Sequence, residues 1–95
     1  MTQSLFEAVK QSVTTKAAAG HYGIEVKRGG MAKCPFHSDQ SPSLKLNDDY
    51  FYCFGCGATG DVIDFVARLF QIGTKEAAEK IAADFGLLYD RHTQY

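Results

Sequence analysis

Four residues of this sequence have the types and the spacing to hold a metal ion: Cys34, His37, Cys53 and Cys56, in the pattern C-x2-H-x15-C-x2-C. Zinc takes four soft or borderline ligands in a tetrahedron at about 2.0–2.3 Å, and two facing turns that each present two ligands deliver that geometry. Cys34-Pro35-Phe36-His37 and Cys53-Phe54-Gly55-Cys56 are two such turns. Pro35 fixes one backbone angle of the first. Gly55 and Gly57 are expected to adopt positive φ around Cys56, where backbone amides can point toward thiolate sulfurs. Three cysteines cannot all pair within one chain, and a reducing compartment disfavours disulfides in any case. Two other uses of these residues stand beside zinc: buried free thiols with an incidental histidine, and a redox C-x-x-C pair. The redox pair ordinarily opens a helix in a βαβ pattern, which this sequence lacks.

Four protein ligands close the coordination sphere, so the ion expected here is one structural zinc; a catalytic zinc keeps a position for water. The nearest catalytic pattern is that of the zinc deaminases, H-x-E followed by P-C-x-x-C. Here Asp39 stands where the proton-shuttling glutamate would be, Tyr52 replaces the proline, and Cys34 fills the open position. The remaining histidines, His21 and His92, read as surface or packing residues.

To position four ligands the chain needs a small sheet and something to pack it. The expected class is α+β: a zinc ribbon, meaning a small antiparallel β-sheet with two zinc knuckles, flanked by an N-terminal helix and a C-terminal helical hairpin. Residues 1–95 read as a single domain, with the ribbon and zinc site over about 24–60. Strand-like segments are Ile24-Glu25-Val26, Met31-Ala32-Lys33, Ser43 to Leu46 and Tyr50-Phe51-Tyr52. Tight turns are expected at Arg28-Gly29-Gly30 and at Asn47-Asp48-Asp49, and His37 to Pro42 reads as a polar loop. A helix over about 4–19 carries Leu5, Val9, Val13 and Ala17 on one face and ends at Gly20. Asp61 caps a second helix, about 61–71, whose Val62, Phe65, Val66 and Leu69 face inward, with Ile63 and Phe70 widening the stripe. Thr74 caps a third, about 74–85, with Ala77, Ala78, Ile81, Ala82 and Phe85 inward, Gly73 before it and Gly86 just past its end.

Size makes the metal matter. A chain of 95 residues buries only about 60–65% of its unfolded surface, so a single core is marginal without a staple. The composition, 45% hydrophobic and 22% charged, is that of a globular domain without low-complexity runs. Nothing approaches the roughly 18 apolar residues of a membrane span, and the N-terminus lacks the blocks of a signal peptide; the expected location is cytoplasmic.

The run Cys34-Pro35-Phe36-His37, Pro42-Ser43, Tyr52-Cys53-Phe54-Gly55-Cys56-Gly57, Gly60-Asp61 and Phe65 resembles the N-terminal zinc-binding domain of bacterial DnaG-type primases over about residues 20–88. Two departures stand out: Asp39-Gln40 where the family often places a lysine beside an acidic residue, and Leu44 where it tends toward Ser-Phe after the proline. The resemblance implies a DNA-binding zinc ribbon that takes single-stranded DNA template and helps choose where an RNA primer starts during DNA replication. It also implies primosome partners, a primase catalytic domain or a replicative helicase. Phosphodiester chemistry would belong to a separate polymerase domain with clustered carboxylates and divalent metal. This chain is therefore expected not to be an enzyme: Asp48-Asp49 suits a hairpin turn, and Asp61 and Asp64 suit the first turn of a helix.

Charge bears on that reading. Residues 1–46 hold six Lys or Arg against three Asp or Glu, net +3, and residues 47–95 hold four against eight, net −4. One Zn²⁺ and three thiolates move the formal total from −1 to about −2, so nucleic acid must be met by a local face. The face expected to do this carries Lys27, Arg28, Lys33 and Lys45 for phosphates, with Tyr50 and Tyr52 for stacking on bases. Two further classes stay open: an adaptor docking on a replication protein without DNA contact, and a zinc-dependent enzyme.

Overall fold

A computed structural model describes residues 4–36 and 42–89. Four short strands pair in chain order, each antiparallel to the one before: β1 (Met31–Ala32), β2 (Leu44–Leu46), β3 (Phe51–Cys53) and β4 (Thr59–Gly60). Side chains alternate across a strand, and here alternation divides the sheet cleanly. Ala32, Leu44, Leu46, Phe51 and Cys53 are fully buried on the inner side. Met31, Lys45, Tyr52 and Thr59 are backbone partners in a row across the opposite side.

Two expectations for the ribbon are corrected. Ile24-Glu25-Val26 makes no strand; Ile24 and Val26 spend their apolar surface against the core instead. The bend at Arg28–Gly30 is a single 3-10 turn, closed by an isolated bridge between Lys27 and Met31. Gly30 lies at φ 80°, and a Cβ there would sit 2.5 Å from the Leu46 carbonyl oxygen, so the turn can press onto β2 only with glycine. Strand β4 was not expected. Thr59-Gly60 is too short to show a pattern, and its pairing with Phe51 and Tyr52 defines it.

The N-terminal segment is two helices rather than one over 4–19: α1 (Leu5–Ser12) and α2 (Thr15–His21). Val13 is extended at φ −128°, and the Thr14 hydroxyl accepts from the Ala17 amide at 3.0 Å, capping a new start. The break changes which residues face inward. Leu5, Val9 and Val13 are buried as expected, but Ala17 is exposed and Thr15, Ala18 and Ala19 take the inner positions. Thr15 donates its buried hydroxyl to the Asn47 carbonyl, and its amide reaches the Asp48 carbonyl at 3.4 Å. The start of α2 is thereby fastened to the β2–β3 turn.

Helix α3 (Val62–Phe70) opens on a capping box, with Asp61 and Asp64 each accepting from the other's amide. Helix α4 (Thr74–Phe85) is preceded by Gly73 at the cap position, so Thr74 is the first helical residue and not the cap. It ends on Gly86 in the left-handed region. Helix α3 packs on α4 and on β4, while α1 packs on both helices. Val62, Ile63, Phe65 and Val66 meet Ala77, Ala78 and Ile81 in one core with the inner face of the sheet. Phe70 remains 41% exposed, its ring edge-on to Tyr22 at 5.0 Å. Among the described residues no helix is long and apolar enough to cross a membrane.

Candidate metal centre

Three of the four expected ligands come together. Cys34 follows β1, Cys53 ends β3 and Cys56 closes the turn after it, and their sulfurs lie within 4.8 Å of one another. His37 lies outside the described residues. The Cys34 and Cys56 sulfurs are 3.9 Å apart, and all three cysteines are free thiols. With Zn–S bonds of about 2.3 Å, neighbouring sulfurs of a tetrahedron stand about 3.8 Å apart. The observed spacing fits that shape.

The backbone supports the sulfurs as it does in a metal-ligating turn. The Phe36 amide points at the Cys34 sulfur at 3.4 Å, and the Gly55 and Cys56 amides serve Cys53. Gly57, at φ 79°, lets its amide return to the Cys53 carbonyl at 2.8 Å, closing the second turn. Gly55 does not take positive φ, so that part of the expectation is corrected: one glycine suffices to turn the chain.

Electrostatics separate the thiols. Burial, together with the neighbouring Cys53 and Cys56, pushes the Cys34 thiol up to about 12. Burial also opposes ionisation of Cys53, but the Ser43 hydroxyl and the Cys56 and Gly55 amides outweigh it and hold that thiol down to about 6. Three sulfurs this close can all ionise only with a cation between them, and a divalent ion of zinc's size and softness suits the donors.

The residues expected to meet nucleic acid are spread over one region. Lys45 is the backbone partner of Tyr52, and its ammonium donates to the Gly29 carbonyl, leaving other donors for a ligand. Lys27, Arg28 and Lys33 are exposed on either side of β1, and Lys27 and Lys33 line one groove with Ile24 and Glu25. Tyr50 and Tyr52 are 51% and 39% exposed. His21 is packed against Tyr22 and Phe85, away from any ligand role; His92 lies outside the described residues. Sequence reasoning did not single out Phe54. It is 70% exposed, and its ring meets Tyr52 at 5.1 Å. The available signal was its place between two ligands in a tight turn, where the side chain has no interior to enter.

Comparison with known proteins gives one family throughout. The CHC2 zinc finger family matches residues 1–95. The chain is 45% identical over 87 residues to the DNA primase of Rickettsia prowazekii, covering 88% of this chain and 13% of that protein. It is 39% identical over 79 residues to the DNA primase of Helicobacter pylori strain J99, covering 76% of this chain and 14% of that one. The chain thus spans only 13–14% of the length of these curated relatives. Its fold is similar to the crystal structure of the Aquifex aeolicus primase zinc-binding and RNA polymerase domains, with a TM-score of 0.79 and 29% identity over 98% of this chain and 24% of that one.

Proposed function

Because the chain belongs to the CHC2 zinc-finger family of DnaG-type DNA primases, we propose that it is a module that holds single-stranded DNA template during primer synthesis, without a catalytic centre of its own. One structural zinc on Cys34, His37, Cys53 and Cys56 locks the two turns together. The three sulfurs leave one tetrahedral position, and His37 is the ligand that the C-x2-H spacing supplies for it. When bound, the zinc supplies charge neutralisation and a cross-link between β1 and the β3 turn. The partner is the polymerase domain of such a primase or a replicative helicase.

The observation that carries the DNA reading is the outer side of the sheet. Tyr52 is exposed there and Tyr50 is exposed just before β3, with Lys45 across the strand from Tyr52 and Lys27, Arg28 and Lys33 toward the β1 edge. Unpaired bases stack on such rings for about 1–3 kcal/mol each while ammonium and guanidinium groups meet the phosphates. Bases in a duplex have their faces covered, so the arrangement favours single strands.

The test is titration of a labelled single-stranded oligonucleotide with the zinc-loaded chain at two salt concentrations. Saturable binding that weakens with salt, and further on Lys33→Ala or Lys45→Ala, is expected. A second reading has its own support in the acidic half, residues 47–95, net −4: a protein-docking adaptor. Absence of binding by a folded, zinc-loaded chain at high micromolar concentration would favour the adaptor instead.

A further inference from the structure

Phe54 is an anomaly of exposure. The other phenylalanines of the sheet region are used in the core: Phe51 and Phe65 are fully buried 5.3 Å apart, and Phe36 packs at 5.7 Å from each. Phe54 instead stands 70% exposed at the turn between Cys53 and Cys56. Its backbone has no freedom to turn the ring inward. The Phe54 amide donates to the Ser43 carbonyl at 2.8 Å, the Cys53 amide to Ala58 at 2.8 Å, and the Gly57 amide to Cys53 at 2.8 Å. The ring meets Tyr52 at 5.1 Å with 62° between planes, so the pair forms an open corner rather than a closed stack. A flat group lying on one ring meets the other from the side.

We propose that the Tyr52–Phe54 corner is a seat for one unpaired nucleobase, with Phe54 its main stacking surface. This rests on the reading of the sheet as a single-strand-binding face and extends it to the metal-bearing turn. A base is the occupant that the surroundings select. Lys45 lies across the strand from Tyr52 and has donors left for a phosphate, whereas an apolar peptide segment has no use for a cation there. Ordering cost is low, because hydrogen bonds on both sides of Phe54 already fix its place before any ligand arrives. The seat is also tied to the ion: Phe54 lies between two of the metal-ligating sulfurs, so the geometry of the corner follows the closure of that turn.

The zinc-loaded full chain is titrated into single-stranded oligonucleotides carrying one 2-aminopurine, whose fluorescence falls on stacking. Quenching at one position is expected with the native chain. Phe54→Ala and Phe54→Leu should each weaken binding about 5- to 100-fold and abolish that quenching. Phe54→Trp should retain both. Zinc content and melting temperature should stay unchanged in all three, since the side chain is mostly solvent-exposed. If Phe54→Leu binds and quenches like the native chain, stacking is overturned. If Phe54→Ala binds normally while Lys45→Ala is weakened, the base seat is overturned and the single-strand reading of the sheet survives. If the native chain binds no oligonucleotide, both fall.

Discussion

Cys34, Cys53 and Cys56 bring three sulfurs within 4.8 Å, where two full negative charges at 4 Å repel by about 4 kcal/mol at an effective dielectric near 20. The structure relieves this unevenly, by keeping Cys34 protonated and Cys53 ionised near neutral pH. Zinc must displace the Cys34 proton at any pH below about 12. Cys53 adds a further proton only once pH falls below about 6, because its thiol is held down to that value. The logarithm of zinc affinity should therefore fall about one unit per pH unit more steeply below pH 6 than just above it. Competition with a chromophoric chelator between pH 5 and 8 measures it. Structural zinc contributes about 10–16 kcal/mol of apparent binding free energy in small domains, as much as or more than their net stability. Cys53→Ser, or chelation, should accordingly unfold at least the sheet, seen as loss of amide dispersion in NMR spectra; a fully folded metal-free chain would overturn the structural role. At this scale the cysteine triad was legible because cysteine spacing within a turn is a local property. Phe54 was not, because exposure of a hydrophobic ring is not written in its type.

Among the elements, the junction of α1 and α2 decides most. Leu5, Val9 and Val13 continue with Ala17 in a helical rhythm, and that rhythm suggests one long helix. The chain breaks instead so that Thr15 can reach the β2–β3 turn, a bond between residues 32 apart in sequence. Thr15→Val should cost about 1–3 kcal/mol, because the part-buried Asn47 carbonyl loses its donor. Asp61→Ala removes a cap, a capping box and the ion pair to Lys10 at 3.2 Å, for a loss of about 0.5–2 kcal/mol, most of it from the cap. Gln71 ends α3 at φ 57°, a conformation costly to any residue with a Cβ, and Gln71→Gly should gain about 0.5–1 kcal/mol. Urea unfolding of the zinc-loaded variants reads all three. Cap positions after a polar-to-apolar step, such as Asp61, were visible in sequence; Gly73 took the position expected of Thr74 because the last turn of the loop already had the extended geometry a cap needs.

For the whole molecule, charge and layering set the terms. The positive half of the chain contributes β1, β2 and the first ligand turn, and the acidic half contributes α3 and α4 behind the core. If Lys27, Arg28, Lys33 and Lys45 each meet one phosphate, log affinity for single-stranded DNA should fall with log salt at a slope of about −3, and Lys33→Ala should reduce its steepness by about 0.7. A slope near zero would leave the basic residues without that role. By itself the sequence determined the ligand spacing, the inward faces of α3 and most of α4, and the family, because each depends on residues within one turn or one periodic stretch. Only the tertiary structure decided the rest. Cys34 reaches Cys53 and Cys56 by sheet pairing, β4 exists as a strand through its partners, and Thr15 breaks a helix for a distant carbonyl. Packing then left Tyr52 and Phe54 outside while Cys53 between them, and Phe51 just before, went in. These outcomes turn on contacts between residues far apart in the chain, whose free energies local periodicity does not register.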